Sequence, residues 1–257
     1  MKRLLIYLFL LLNLASIAQD TNLVTADDQM QLFELGNEAY KANDFNKSIE
    51  FYQAILATDK ESWELHFNLG NAYFKLGNTA RAILHYEKAK KLNPGQEDLL
   101  INLEMANIKT VDKVESKPEL VITTYWDTLL NTYTIDQWAE NSIVLSFVAL
   151  IIMILFLYTK GILKKIAFFT SLFVFLVSMV FFTLGYQQKS LQTDQKYAIV
   201  FSPSVTVKSS PEDDGTKIFV IHEGTKLKVL GTEGDWSRIS LMNGTKGWVK
   251  SSVYEGI

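Results

Sequence analysis

Two uncharged runs in mid-chain, NSIVLSFVALIIMILFLYT at 141–159 and IAFFTSLFVFLVSMVFFTLGY at 166–186, constrain this chain more than any other feature. Each is long enough to cross the hydrocarbon of a bilayer as a helix. Neither has the polar stripe that a helix on the surface of a globular core needs. The spacing therefore predicts a transmembrane hairpin, with helices at 141–159 and 166–186. Between them lies a short loop, 160–165, that carries Lys160, Lys164 and Lys165 and no acid. Basic loops are retained in the cytoplasm. Both flanking parts are then expected on the opposite side. Trp126, Tyr133, Trp138 and Tyr186 are expected at the outer membrane interface, where amphipathic rings prefer to lie.

The N-terminus gives the same topology. Lys2 and Arg3 precede an apolar run, Leu4 to Leu12, and small residues end the segment at Ser16-Ile17-Ala18. The run is too short to span, and residues 1–18 are read as a secretory signal peptide rather than an uncleaved anchor. The protein is expected in a bacterial inner membrane with both soluble parts periplasmic.

Beyond the apolar runs the chain is polar. Its net charge is −3 and it has no cysteine. No basic surface for nucleic acid is predicted, and disulfides and thiolate metal sites are excluded. Catalytic signals are also missing. His66, His85 and His222 lie in different elements without ligand spacing, and Glu212-Asp213-Asp214 reads as a solvated turn. No phosphate-cradling glycine loop or nucleophile elbow occurs. Neither an enzyme site nor a cofactor or metal is expected.

Residues 29–117 align with themselves at a spacing of 34. Leu35-Gly36-Asn37 matches Leu69-Gly70-Asn71, Ile49 matches Ile83, and Tyr52 matches Tyr86. Period and pattern resemble the tetratricopeptide repeat, a stack of antiparallel helix pairs. Gly36 and Gly70 are expected where paired helices approach closely, with Ser48 and Ala82 small for the same reason. Asn43 and Gly77 fall at the inter-helix turns, where positive φ is tolerated. A degraded third unit, EDLLINLEMANIK, reads as a capping helix.

The inner helices would present Phe33, Asn37, Tyr40 and Lys41, then Phe67, Asn71, Phe74 and Lys75, on a concave partner-binding face. Asn37/Asn71 and Lys41/Lys75 resemble the residues with which some repeats of this family grip a terminal carboxylate, although Phe33 stands where such a clamp carries Lys. The asparagines otherwise satisfy local backbone groups, and the phenylalanines Phe33 and Phe67 otherwise pack between repeats.

A juxtamembrane segment (118–140) leads into the hairpin, and a polar linker (187–195) leads out of it. Residues 196–257 then break into about five short alternating runs with an Asn-Gly turn at Asn243-Gly244. They resemble the bacterial SH3-like domain, a small all-β barrel. Val205, Val207, Leu227, Val229, Ile239 and Val249 are its core candidates. Trp236 and Trp248 either line a groove for peptide or glycan or cap the barrel ends.

The whole order resembles the BatE family of the bacterial aerotolerance (Bat) operon. That resemblance implies a non-enzymatic envelope scaffold, with other membrane proteins, among them von Willebrand A-domain Bat proteins, as partners. A different class is a cell-wall module whose SH3-like domain binds peptidoglycan and localises a hydrolase.

Overall fold

The computed structural model describes residues 26–113, 121–194 and 196–257, so the segment read as a signal peptide lies outside the described residues. The chain divides into two compact units after Glu61.

The first unit is a helix pair, α1 (Ala26–Lys41) and α2 (Phe45–Leu56). Asp44 caps α2 by accepting from the Lys47 amide at 3.2 Å, and Asn43 makes the turn with φ 63°. Tyr52, almost wholly buried, lies over Gly36, where any side chain would collide with its ring. Its hydroxyl donates to Asn37 Oδ1 at 2.7 Å.

The second unit begins with the same design one period later. Helix α3 (Trp63–Lys75) pairs with α4 (Thr79–Leu92); Asn78 caps α4 through the Arg81 amide, and Gly77 turns with φ 78°. A Cβ built on Gly70 would stand 2.5 Å from the Tyr86 ring. Both glycines therefore lie at close helix contacts, as their spacing predicts. Ser48 and Ala82 are fully buried. Helix α5 (Glu97–Ile108) covers the end of the stack with Leu99, Leu103 and Ala106, which is the expected capping helix.

A short helix, α6 (Val121–Leu130), precedes two long apolar helices, α7 (Ile135–Tyr158) and α8 (Gly161–Asp194). Thr134 and Gln137 form a capping box that starts α7. Only two residues, Thr159 and Lys160, separate the long helices, so the loop expected at 160–165 is instead helical from Gly161, which turns at φ 60°. The hairpin is sealed by small polar residues: Ser178 Oγ donates to the Ser142 carbonyl and Ser171 Oγ to the Ala149 carbonyl, both at 2.8 Å. Only 11% of the most apolar window of each helix is buried, whereas the core helix of a water-soluble fold would be mostly covered. By length and composition both helices suffice to cross a membrane.

Two expectations are corrected here. The segment 187–195 is not a loose linker up to its end, because α8 continues as helix to Asp194. It contains no Pro or Gly, and Gln188 and Gln192 dock by donating to the carbonyls of Tyr133 and Lys91. Trp138 is no interfacial ring. It is 2% exposed, donates from Nε1 to the Leu130 carbonyl, and packs edge-on against Tyr133 and Phe181.

The C-terminal part is an antiparallel sheet of seven strands: β1 (Tyr197–Val200), β2 (Ser204–Lys208), β3 (Lys217–His222), β4 (Lys226–Glu233), β5 (Trp236–Leu241), β6 (Lys246–Lys250) and β7 (Tyr254–Gly256). The order is β3-β2-β6-β5-β4-β1-β7, so β3 and β7 are open edges and the sheet does not close into the expected barrel. The core holds Val205, Val207, Leu227, Ile239 and Val249 as predicted, with Val229 packed at its margin. One face of β1 packs on the helical repeat. Ala198 and Val200 face the sheet core, while Ile199 between them enters the core of the helical repeat with Ile83 and Leu84. Alternation along one strand divides it between two cores.

Candidate functional site

Two regions carry the residues that the sequence singles out, and a third emerges only from the structure. On the repeats, most of the expected concave-face residues are engaged in packing. In the first unit Phe33 packs on Tyr52, Tyr40 on Phe45, and Asn37 accepts the Tyr52 hydroxyl. Burial pushes the Tyr40 phenol up from its ordinary range. In the second unit Phe67 packs on Tyr86, and Asn71 accepts from both the Tyr86 hydroxyl at 2.8 Å and the Asn102 amide at 2.9 Å. The asparagines thus satisfy tyrosine hydroxyls from the partner helix, rather than the backbone groups considered from sequence. Phe74 lies under the Lys109 ammonium at 3.9 Å. Lys41 and Lys75 are exposed.

Helix α5 carries a further apolar surface. Ile101, Met105 and Ile108, at i, i+4 and i+7, form one stripe and are 47%, 49% and 66% exposed. In a stack of helix pairs, the second helix of a third pair would normally follow α5. Here the chain leaves at Lys109, and the stripe stays uncovered among the described residues.

On the sheet, Ser237, Ile239 and Leu241 of β5 point into the core, so Trp236 and Arg238 point outward. Their cross-strand partners on β6 are Lys250 and Trp248. The two tryptophans are therefore half-buried diagonal neighbours on the outer face, and they do not cap barrel ends. The Lys208 and Lys250 ammonium groups lie 5.1 and 5.5 Å from the Trp236 ring. Lys250 also pairs with Asp213 at 2.9 Å, and that hydrogen bond holds the Asp213 carboxyl below the ordinary carboxylate range. The acidic turn at 212–214 is thus tied to the tryptophan face.

The third region is the seam between the second repeat and the sheet, which no sequence signal announced. Arg81 forms an ion pair with Glu255 at 3.0 Å and stacks over Phe201 at 4.6 Å, and Lys226 meets Glu87 at 2.7 Å. Asp112 accepts from the His222 amide, His222 Nδ1 and the Thr225 hydroxyl. Burial raises its pKa, but the bonds from Thr225 and His222 outweigh this and hold the carboxyl below its usual range.

The structure also joins two histidines that sequence spacing left apart. His66 Nδ1 and His85 Nδ1 are 3.0 Å apart, and the His85 ring stacks between His66 and Tyr73. Burial, then the neighbouring His66, Lys88 and Arg81, push His85 down to about 3. Among the described residues no cluster of three or more metal-ligating side chains occurs.

Comparison with known families identifies two parts of the chain. A tetratricopeptide-repeat family model matches residues 33–97, and a bacterial SH3 domain model matches residues 203–254. No curated protein matches the chain.

Proposed function

We propose that this protein is a non-enzymatic, membrane-anchored adaptor of the bacterial envelope that holds a protein partner on its tetratricopeptide repeats. The observation that carries the reading is the uncovered Ile101–Met105–Ile108 stripe on α5, adjoining a helix pair of a partner-binding repeat class. An amphipathic segment of a partner would supply the covering that the missing helix of the third pair does not. The exposed ammonium groups of Lys41 and Lys75 suit a partner with acidic residues. The two long apolar helices act as the anchor, with Lys160, Lys164 and Lys165 in the cytoplasm and both soluble parts outside. The order of parts supports a place in a Bat-type complex linked to aerotolerance, with von Willebrand A-domain membrane proteins as partners.

Met105→Asp and Ile108→Asp alter exposed positions and so leave folding intact. The expected result is normal membrane level and helicity with loss of co-purifying membrane proteins after crosslinking. Co-purification at wild-type yield would remove this surface from the proposal.

A second reading, peptidoglycan binding by the SH3 domain, is favoured by the outward pair Trp236 and Trp248 with Lys208, Arg238 and Lys250 beside them. Isolated cell wall should retain the full chain in detergent and release the Trp236→Ala/Trp248→Ala variant. Equal retention would count against it.

A further inference from the structure

A cavity of about 630 Å³ opens where the long helices, the repeat and the sheet meet. Lys91, Lys189 and Lys196 line it, and among the described residues no acidic side chain does. Ile135, Val229 and Ile257 supply an apolar part of the wall, and Gln192 and Thr193 add hydrogen-bonding groups. Lys91 already donates to the Ile257 carbonyl at 3.1 Å. Lys189 and Lys196 are exposed and, among the described residues, make no ion pair. Several ammonium groups above an apolar wall fit an amphiphile with an anionic head. A fully polar anion would leave that wall unused, and an uncharged lipid would leave the lysines unused.

Height along α8 narrows the ligand further. The uncharged run ends at Tyr186; Lys189 follows three residues later and Thr193 seven. At ~1.5 Å per residue these lie roughly 4 and 10 Å beyond the apolar stretch. The polar layer on each side of a bilayer is about 5–8 Å deep, from a core of ~30 Å within a total of ~40–45 Å. Lys189 is therefore level with the phosphate groups if α7 and α8 span, with Thr193 just outside them, and the inference rests on that reading.

We propose that this cavity holds the phosphodiester headgroup of an anionic phospholipid from the surrounding bilayer. Lys189 and Lys196 meet the phosphate, and Ile135, Val229 and Ile257 lie against the glycerol and upper acyl carbons. Bound there, the lipid ties the sheet and the second repeat to the membrane surface.

Native mass spectrometry of the detergent-solubilised full chain tests this with phosphatidylglycerol. Phosphatidylcholine of the same acyl chains serves as the zwitterionic control, and glycerol 3-phosphate as the soluble phosphate ester. Retention of phosphatidylglycerol over phosphatidylcholine is expected. Lys189→Gln/Lys196→Gln should weaken it about twenty-five-fold, at roughly fivefold per lysine. Equal retention of the two lipids, or no change in the variant, overturns the proposal. Glycerol 3-phosphate binding as tightly as the lipid would assign the cavity to a soluble phosphate ester instead.

Photocrosslinking the unmodified chain with a diazirine-headgroup phosphatidylglycerol needs no variant. Adducts within 189–197 support the site, and adducts confined to 143–186 refute it. Carbonate extraction of membranes separates the two levels. Release of the chain would sink the spanning reading and this one with it. Retention without lipid preference would sink the headgroup site alone.

Discussion

The Tyr86 hydroxyl donates to Asn71 Oδ1 at 2.8 Å while its ring occupies the space that a side chain on Gly70 would need. One aromatic residue thus locks a helix pair by shape and by hydrogen bond together. Tyr52, Asn37 and Gly36 repeat the arrangement one period earlier. Tyr86→Phe removes the hydrogen bond and keeps the ring. Since Asn71 still accepts from Asn102, the cost should be about 0.5–1.5 kcal/mol in urea denaturation. A loss above 3 kcal/mol would show that the hydroxyl does more than satisfy Asn71.

Gly70→Leu attacks the same contact from the other side. The Tyr86 ring is fully enclosed and cannot swing away, so the helices must separate, at ~1–3 kcal/mol as overpacking costs. A fall in melting temperature of the full chain in detergent is expected. An unchanged value would mean that the helices reseat without strain.

Acid should loosen the second repeat before it reaches the carboxylates. His85 resists protonation in the folded chain down to about pH 3, whereas an unfolded His takes a proton near 6.5. Between those limits the unfolded state binds more protons, so stability is full above pH 6.5 and declines as pH falls through the window. At ~1.4 kcal/mol per unit the loss reaches a few kcal/mol. His85→Gln should flatten the difference in melting temperature between pH 7.5 and pH 4.5. If the variant keeps the wild-type slope, the sensitivity lies elsewhere.

Ile199 stands in the sheet but fills the core of the repeat. Ile199→Ala should therefore cost ~2–5 kcal/mol, and hydrogen exchange should rise in α4 as well as in β1. Asp112→Ala removes the acceptor for three donors at the same seam, and faster exchange is expected across 217–230. Effects confined to the sheet in both variants would mean that the seam does not couple the two parts.

Topology is checked by fusion. Alkaline phosphatase joined after Gln188 should be active, and joined after Lys165 inactive, if the lysine-bearing turn is cytoplasmic. The reverse pattern would invert the protein in the membrane.

What the sequence determined by itself is local and periodic. The 34-residue spacing, glycines at the helix crossings and turn residues at Asn43 and Gly77 specify helix pairs, because each acts on neighbours within one repeat. Uncharged length alone identified the two long helices. Period-2 alternation found most of the sheet core. Only the tertiary structure decided what depends on which faces meet. Trp138 looked like an interfacial ring, but it is buried because α6, α7 and α8 converge on it. The polar stretch after Tyr186 stays helical because its glutamines find carbonyls on other elements. His66 and His85, nineteen residues apart, meet only when α3 packs on α4. Ile199 leaves the sheet core because the second repeat offers its side chain another one. A strand's alternation states that two faces exist, and it carries no information on what covers the second.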